Sequence, residues 1–208
     1  MDALSHLVRV IRWNPLGIAA VIGSVVVASR HNGDAAAPLQ ISAVLLASAA
    51  GFGLDDSAAE LLDASPATLL RRRLVRVAVV AIPTVIVWIT LFWAQGPESA
   101  AEGWALTAMF SGLLGLSMGT AAVATRRTSC GNGGIVVGPA LLIALFASTT
   151  LPPRWRPLPM GDIPGGWLAI DLRWTTAAVT GAAVFVRSSR DRAAPHTLRL
   201  LSRRVREP

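Results

Sequence analysis

The stretch LVRVAVVAIPTVIVWITLFWA, residues 74–94, decides how this chain folds. It is almost entirely apolar, and its one charged residue, Arg76, stands near its start. Crossing the hydrocarbon core of a bilayer as a helix takes about 20 such residues. The stretch therefore predicts a transmembrane helix.

Five further apolar runs lie before and after this one, and the first two of them are short. The six runs are Leu16–Ser29, Leu39–Leu54, Leu74–Ala94, Trp104–Ala124, Ile135–Leu151 and Trp167–Val186. They predict an all-α, polytopic membrane protein with six transmembrane helices. The expected organisation is an interfacial helix at 1–14, a membrane domain at 15–187 and a basic cytoplasmic tail at 188–208.

Composition supports this fold class and excludes others. Hydrophobic residues make up 53% of the chain and charged residues 15%, whereas soluble domains carry about a quarter charged residues. All 19 basic residues are arginine. The lysine of a phosphate-binding P-loop is therefore missing, and any ATP hydrolysis has to come from a partner. The single cysteine, Cys130, excludes an internal disulfide, and no metal-ligand spacing is present.

The net charge of +7 would suggest nucleic acid for a soluble protein. Here the arginines stand at the ends of apolar runs, which favours orientation in the membrane and contact with anionic lipid. With the N-terminus in the cytoplasm, 15 of the 19 arginines lie on the inner side. They are Arg9, Arg12, Arg71, Arg72, Arg73, Arg76, Arg126, Arg127, Arg187, Arg190, Arg192, Arg199, Arg203, Arg204 and Arg206.

Both termini carry amphipathic patterns. Leu4, Leu7, Val8 and Ile11 share one helical face and predict an N-terminal helix lying on the inner leaflet. The tail 188–208 is basic and predicts a second surface helix, rather than a specific binding motif.

The longest inner loop, residues 55–73, reads DDSAAELLDASPATLLRRR. Its acidic start and the Ser65-Pro66 pair predict a short cytoplasmic helix over 57–64 followed by a sharp turn. A short helix with an apolar side suits docking into a groove of another protein. A plain surface turn between two spans is the alternative, and the residues alone leave both open.

The outer loop from Leu151 to Trp167 contains five prolines and three glycines, so it cannot form a long helix. Its apolar character favours a compact cap or a re-entrant segment packed on the span ends. An ordered extracytoplasmic loop without function is the alternative.

Two glycine-containing motifs bear on possible chemistry. Residues 115–119 match G-x-S-x-G, but the serine lies inside an apolar run and no histidine falls within a span. Gly112, Gly115 and Gly119 instead predict a close helix–helix or subunit interface. The glycines of 131–134 favour a tight turn over a phosphate nest. We therefore predict no catalytic, cofactor-binding or metal-binding residue.

The segment DDSAAELLDASPATLLRRRLVR, residues 55–76, resembles a loop of permeases from ATP-binding-cassette transporters of actinobacteria-like genomes. The order of elements is similar to that of the type-2 exporter permease family. This resemblance implies a coupling helix in the loop 55–73 that contacts a separate cytoplasmic ATPase. It also implies pairing with a second copy or a different permease, and a bacterial plasma membrane location with both termini in the cytoplasm.

From this resemblance, Glu60, Leu61, Leu62 and Asp63 are the expected ATPase contact. The chain is then not an enzyme by itself, needs no cofactor, and binds lipid but no nucleic acid. The alternative is a non-transporting scaffold or accessory subunit of a larger membrane complex. An intramembrane enzyme is disfavoured because the spans contain no histidine and no central carboxylate.

Overall fold

The computed structural model describes residue 11 and residues 13–29, 36–53, 69–127, 133–152 and 166–189. Over these residues the chain forms six α-helices and no strand, which confirms the all-α prediction for this part of the chain. The helices are α1 (Asn14–Ala28), α2 (Ala36–Phe52), α3 (Leu69–Gln95), α4 (Ala100–Arg127), α5 (Gly133–Thr150) and α6 (Gly166–Ser189).

Helix α3 is longer than the apolar run that predicts it. It begins at Leu69, so the last five residues of the predicted loop 55–73 are helical instead. Leucine and arginine are good helix formers, and long arginine side chains tolerate the end of an apolar helix because their charged heads reach water. The loop boundary drawn from hydropathy alone was therefore placed too late.

The connection between α3 and α4 is short and well defined. Gly96 follows α3 with φ +65°, and its N–H donates to the carbonyl of Phe92 at 3.0 Å, as in a glycine C-cap. At the start of α4, the Ser99 hydroxyl accepts from the Glu102 N–H at 3.2 Å, and the Glu102 carboxylate accepts from the Glu98 N–H at 2.9 Å. This closely resembles a capping box.

Helix α2 lies at the centre of the bundle. Most of its residues are buried, and it packs against α1, α3, α4 and α5. Alanine and serine dominate its sequence, and such small residues let neighbouring helices approach closely. Helix α6 sits at the periphery and packs mainly on α4.

One buried cluster brings together residues of α2 to α6 and two residues that stand just before α1. It contains Ile11, Ala50, Val80, Met118, Ala121, Ala122, Val137 and Phe185, with Trp13 packed against it. These residues lie just before α1, in the first half of α3 and α5, and in the second half of α2, α4 and α6. Successive helices therefore run in opposite directions. We call this end of the bundle the arginine end, because Arg73, Arg76, Arg126 and Arg187 lie there, and the other the opposite end.

The outer surface of the bundle is apolar. Isoleucine, valine and phenylalanine side chains are exposed on α1, α3 and α5, including Ile18, Ile82 and Phe146. Two segments, Arg73–Gln95 and Ala100–Arg126, are long and apolar enough to cross a membrane, and 22% and 56% of their apolar windows are buried in the bundle. Helices α1 and α2 and the segment Gly134–Ser148 are apolar but shorter.

Candidate functional site at the arginine end

The arginine end is where the described chain concentrates positive charge. Arg73 and Arg76 lie near the start of α3, Arg126 near the end of α4, and Arg187 near the end of α6. The charged residues at the opposite end of the described chain are Glu98, Glu102, Asp171 and Arg173. Helices α1, α2 and α5 contain none. The two ends therefore differ in sign as well as in residue type.

Arg73 joins three helices. Its Nη1 donates to the carbonyl of Ala122 at 3.2 Å and to the carbonyl of Ser188 at 3.3 Å, and its Nη2 donates to the Thr125 hydroxyl at 2.9 Å. The first and third acceptors belong to the end of α4, and the second to the end of α6. The Ser188 carbonyl lies in the last turn of α6, where carbonyls lack intrahelical partners. The planar guanidinium, with several donors, satisfies this carbonyl and also bonds two groups near the end of α4.

Arg126 adds a second link between the ends of α4 and α6. Its Nη1 donates to the backbone carbonyl of Arg187 at 3.4 Å. A cation at a helix C-terminus is favourable because the helix dipole places partial negative charge there. Arg76, one turn into α3 from Arg73, is 8% exposed. The arginines thus serve as structural parts of this end as well as charges on its surface.

The segment predicted to contact an ATPase leaves and re-enters the bundle at the arginine end. Glu60, Leu61, Leu62 and Asp63 themselves lie outside the described residues, as do most of the predicted N-terminal helix, the outer loop 153–165 and the tail 190–208. The residues that flank the segment are firmly packed. A Cβ on Gly53 would overlap Val80, and one on Gly134 would lie 2.5 Å from the Cα of Phe52.

The three glycines predicted to form an interface lie on the face of α4 that contacts α6. A Cβ on Gly112 would lie 2.6 Å from the Trp174 ring, and one on Gly119 would lie 2.6 Å from the carbonyl of Gly181. Gly115 faces Ala178, with a Cβ-to-carbonyl distance of 3.1 Å. The two parallel helices therefore touch through their backbones, and this contact lies within the chain.

Ser117, the serine of the G-x-S-x-G match, makes a structural contact. It is buried, and its hydroxyl donates to the carbonyl of Ala47 on α2 at 2.6 Å. A hydroxyl that bonds a neighbouring helix holds two helices in register. Among the described residues, no group of three or more histidine, cysteine or acidic side chains could hold a metal ion.

Three features of the bundle were not predicted from the sequence. Arg73 was interpreted only as a signal of orientation, and its acceptors come from residues about 50 and 115 positions away, which no local pattern reveals. Gly181, the partner of the α4 glycines, was also missed. The S-x-x-E pattern of Ser99 and Glu102 was visible in the sequence, and it marks a helix start.

No protein-family model, curated protein or solved structure matches this chain.

Proposed function

We propose that this chain is a multi-pass membrane protein whose six helices all cross the bilayer, and that it serves as the membrane subunit of an ATP-binding-cassette exporter. The observation that carries the membrane part is the exposure of large apolar side chains around the peripheral helices. Soluble monomers rarely expose contiguous apolar surface of this kind. The low burial of α3, at 22% of its apolar window, also separates it from the core helix of a soluble domain.

The charges support one orientation, with the arginine end in the cytoplasm. Arginine-rich connections stay on the side where the chain is made. Tryptophans support the same placement, because Trp93 and Trp104 are 79% and 71% exposed at the opposite end, where indole rings favour the membrane–water interface. Helix α1, with 15 residues, is short for a perpendicular crossing, and local thinning of the bilayer accommodates such a helix.

The position of the segment 54–68 supports coupling to an ATPase. Phe52 ends α2 and Leu69 begins α3, and both of these helix ends lie at the arginine end. A cytoplasmic ATPase would therefore meet this segment, with Glu60, Leu61, Leu62 and Asp63 as the proposed contact. A second copy of the chain or a different permease would complete the transport pathway.

A non-transporting scaffold or accessory subunit is the second candidate. The observation that favours it is the solid centre of the bundle, where α2 is buried against four neighbours. Backbone contact between α4 and α6 through glycines also suits a static anchor. A transporter needs helices that separate, so the two candidates differ in whether the bundle opens when ATP is hydrolysed.

Co-purification of ATP hydrolysis with the chain tests the transporter proposal. The tagged chain is purified in mild detergent from its native membrane, and ATPase activity is measured in the eluate. We expect activity to co-purify with the wild type and to be lost from the double variant Leu61→Arg plus Leu62→Arg, because two charges replace the apolar contact.

Leu198→Arg plus Leu201→Arg is the matched control, since it adds the same two charges to the tail on the same side. Both variants are first shown to insert at wild-type levels. Wild-type preparations without ATP hydrolysis, or a loop variant that retains all of it, would contradict the proposed coupling and leave the scaffold as the better account.

A further inference from the structure

Arg73 links α3, whose apolar window is only 22% buried, to a closely packed pair of helices. The pair is α4 and α6, whose backbones touch at Gly115, Gly119 and Gly181. Helix α3 reaches α4 through side chains at three places. Arg73 lies near the start of α3, Val80 packs in the cluster that contains Met118, and the Trp88 and Phe110 rings stack with centroids 4.6 Å apart. The guanidinium of Arg73 is therefore the hydrogen-bonded connection that the described residues show between the start of α3 and the α4–α6 pair, beside the apolar contact at Val80.

Pro83 lies between these two attachment points. A proline inside a helix removes one backbone hydrogen bond and is a common site of bending. The second half of α3 is held by the Trp88 stack. The first half is held by Val80, which is buried close to Pro83, and by Arg73 two turns nearer the start of the helix. A bend at Pro83 would move the start of α3, around Arg73, the farthest, and would move Val80, three residues from the proline, the least.

Arg73 also stands close to the segment proposed to receive force. Helix α3 begins at Leu69, directly after residues 54–68, so Arg73 is in the second turn of the helix that this segment enters. A displacement of the segment is transmitted to Arg73 through one turn of helix. The acceptors of Arg73 are two carbonyls and one hydroxyl near an end of the bundle, where water can replace the guanidinium.

We propose that Arg73 is a latch. In the closed state it holds the start of α3 against the ends of α4 and α6, and its release lets that half of α3 swing about Pro83 and open the arginine end. The latch is a property of the chain itself. Its use in transport rests on the proposed function, because a partner has to move the segment 54–68.

Cysteine accessibility at Ser189 tests the latch. Ser189 ends α6, follows the acceptor Ser188, and is 0% exposed. Ser189→Cys is introduced into a Cys130→Ser background, and its reaction rate with a membrane-impermeant maleimide is measured in inside-out vesicles. We expect Arg73→Gln to raise the rate about tenfold or more, which matches the loss of one charge-assisted hydrogen bond. Arg73→Lys should give an intermediate rate, because lysine keeps the charge without the planar fork.

Arg187→Gln is the matched control. It removes one positive charge from the same end, while Arg187 enters the described hydrogen bonds through its backbone carbonyl. We expect its rate to equal that of the parent. An unchanged rate in Arg73→Gln, or an equal rise in Arg187→Gln, would overturn the latch.

Thr125→Val provides a second variant in case Arg73→Gln does not yield monodisperse protein. It removes the hydroxyl acceptor at 2.9 Å with little change of shape, and a smaller rise in labelling is expected. No rise in this variant would also overturn the latch. The labelling assay uses the full chain without an ATPase, so its outcome is independent of the co-purification experiment. Labelling as predicted, with no ATPase associated, would support the latch and contradict the exporter proposal.

Discussion

At the scale of single residues, glycine and arginine connect the helices of this bundle in different ways. The α4 glycines remove side chains where α6 approaches, and a Cβ on Gly119 would lie 2.6 Å from a backbone oxygen of Gly181. Arg73 does the reverse, because it fills the space between helices with a planar group whose donors reach Ala122, Thr125 and Ser188. The glycines let two backbones touch, and the arginine side chain connects backbones that are farther apart.

The glycine contact gives a direct prediction. Gly119→Ala should destabilise the bundle by about 1–3 kcal/mol, because the added methyl group pushes two backbones apart. Gly17→Ala on α1 is the control, since a Cβ there meets nothing within 4 Å. It should be neutral or stabilising by up to about 1 kcal/mol, as alanine is the better helix former.

Reversible unfolding in mixed detergent micelles measures both variants. Equal stability of the two would contradict the tight α4–α6 contact. A large loss in Gly17→Ala would instead point to a contact on the outer face of α1.

The same residues show what sequence patterns can and cannot predict. Small residues spaced three and four apart on α4 predicted a close approach of helices, but they could not identify α6 as the partner, because the matching residue, Gly181, lies some 60 positions away. Arginine bias predicted that Arg73 belongs at an inner end. Its bonds to Ala122, Thr125 and Ser188 depend on how the helices assemble, and no local spacing encodes that.

At the scale of elements, the helices differ in how they are held. Central α2 is buried on nearly all sides, and α6 is attached chiefly to α4. Helix α3 presents most of its apolar surface outward and is attached by a few large side chains. Its length was underestimated from hydropathy because the arginines that end the apolar run do not end the helix.

Two tryptophans of α3 provide a matched test of this description. Trp88 is 3% exposed and stacks on Phe110, whereas Trp93 is 79% exposed. Trp88→Ala should cost about 3–5 kcal/mol, through lost burial and the cavity left behind. Trp93→Ala, at a surface position, should cost less than about 1 kcal/mol.

The measurement is again reversible unfolding, combined with quenching by brominated lipid. We expect the lipid to quench Trp93 more strongly than Trp88 when each is compared by difference from its alanine variant. Strong quenching of Trp88, or equal costs for the two substitutions, would show that α3 faces its neighbours differently.

At the scale of the whole molecule, alternation of helix direction and asymmetry of charge act together. Six helices place the start of α1 and the end of α6 at the same end, and the arginines gather there. This arrangement follows from hydropathy and arginine bias, so the class of architecture was accessible from the sequence. The packing order was not, because α1, α2 and α5 have nearly uniform apolar compositions that do not indicate which helix lies at the centre.

The central claim is that this bundle crosses a lipid bilayer with the arginine end in the cytoplasm. Single cysteines at Glu98 and Arg187, both exposed and at opposite ends, test it in a Cys130→Ser background. The measurement is labelling by a membrane-impermeant maleimide in intact and permeabilised cells. We predict that Glu98→Cys reacts in intact cells and that Arg187→Cys reacts only after permeabilisation. Reaction of Arg187→Cys from outside intact cells, or identical behaviour of the two positions, would contradict the account.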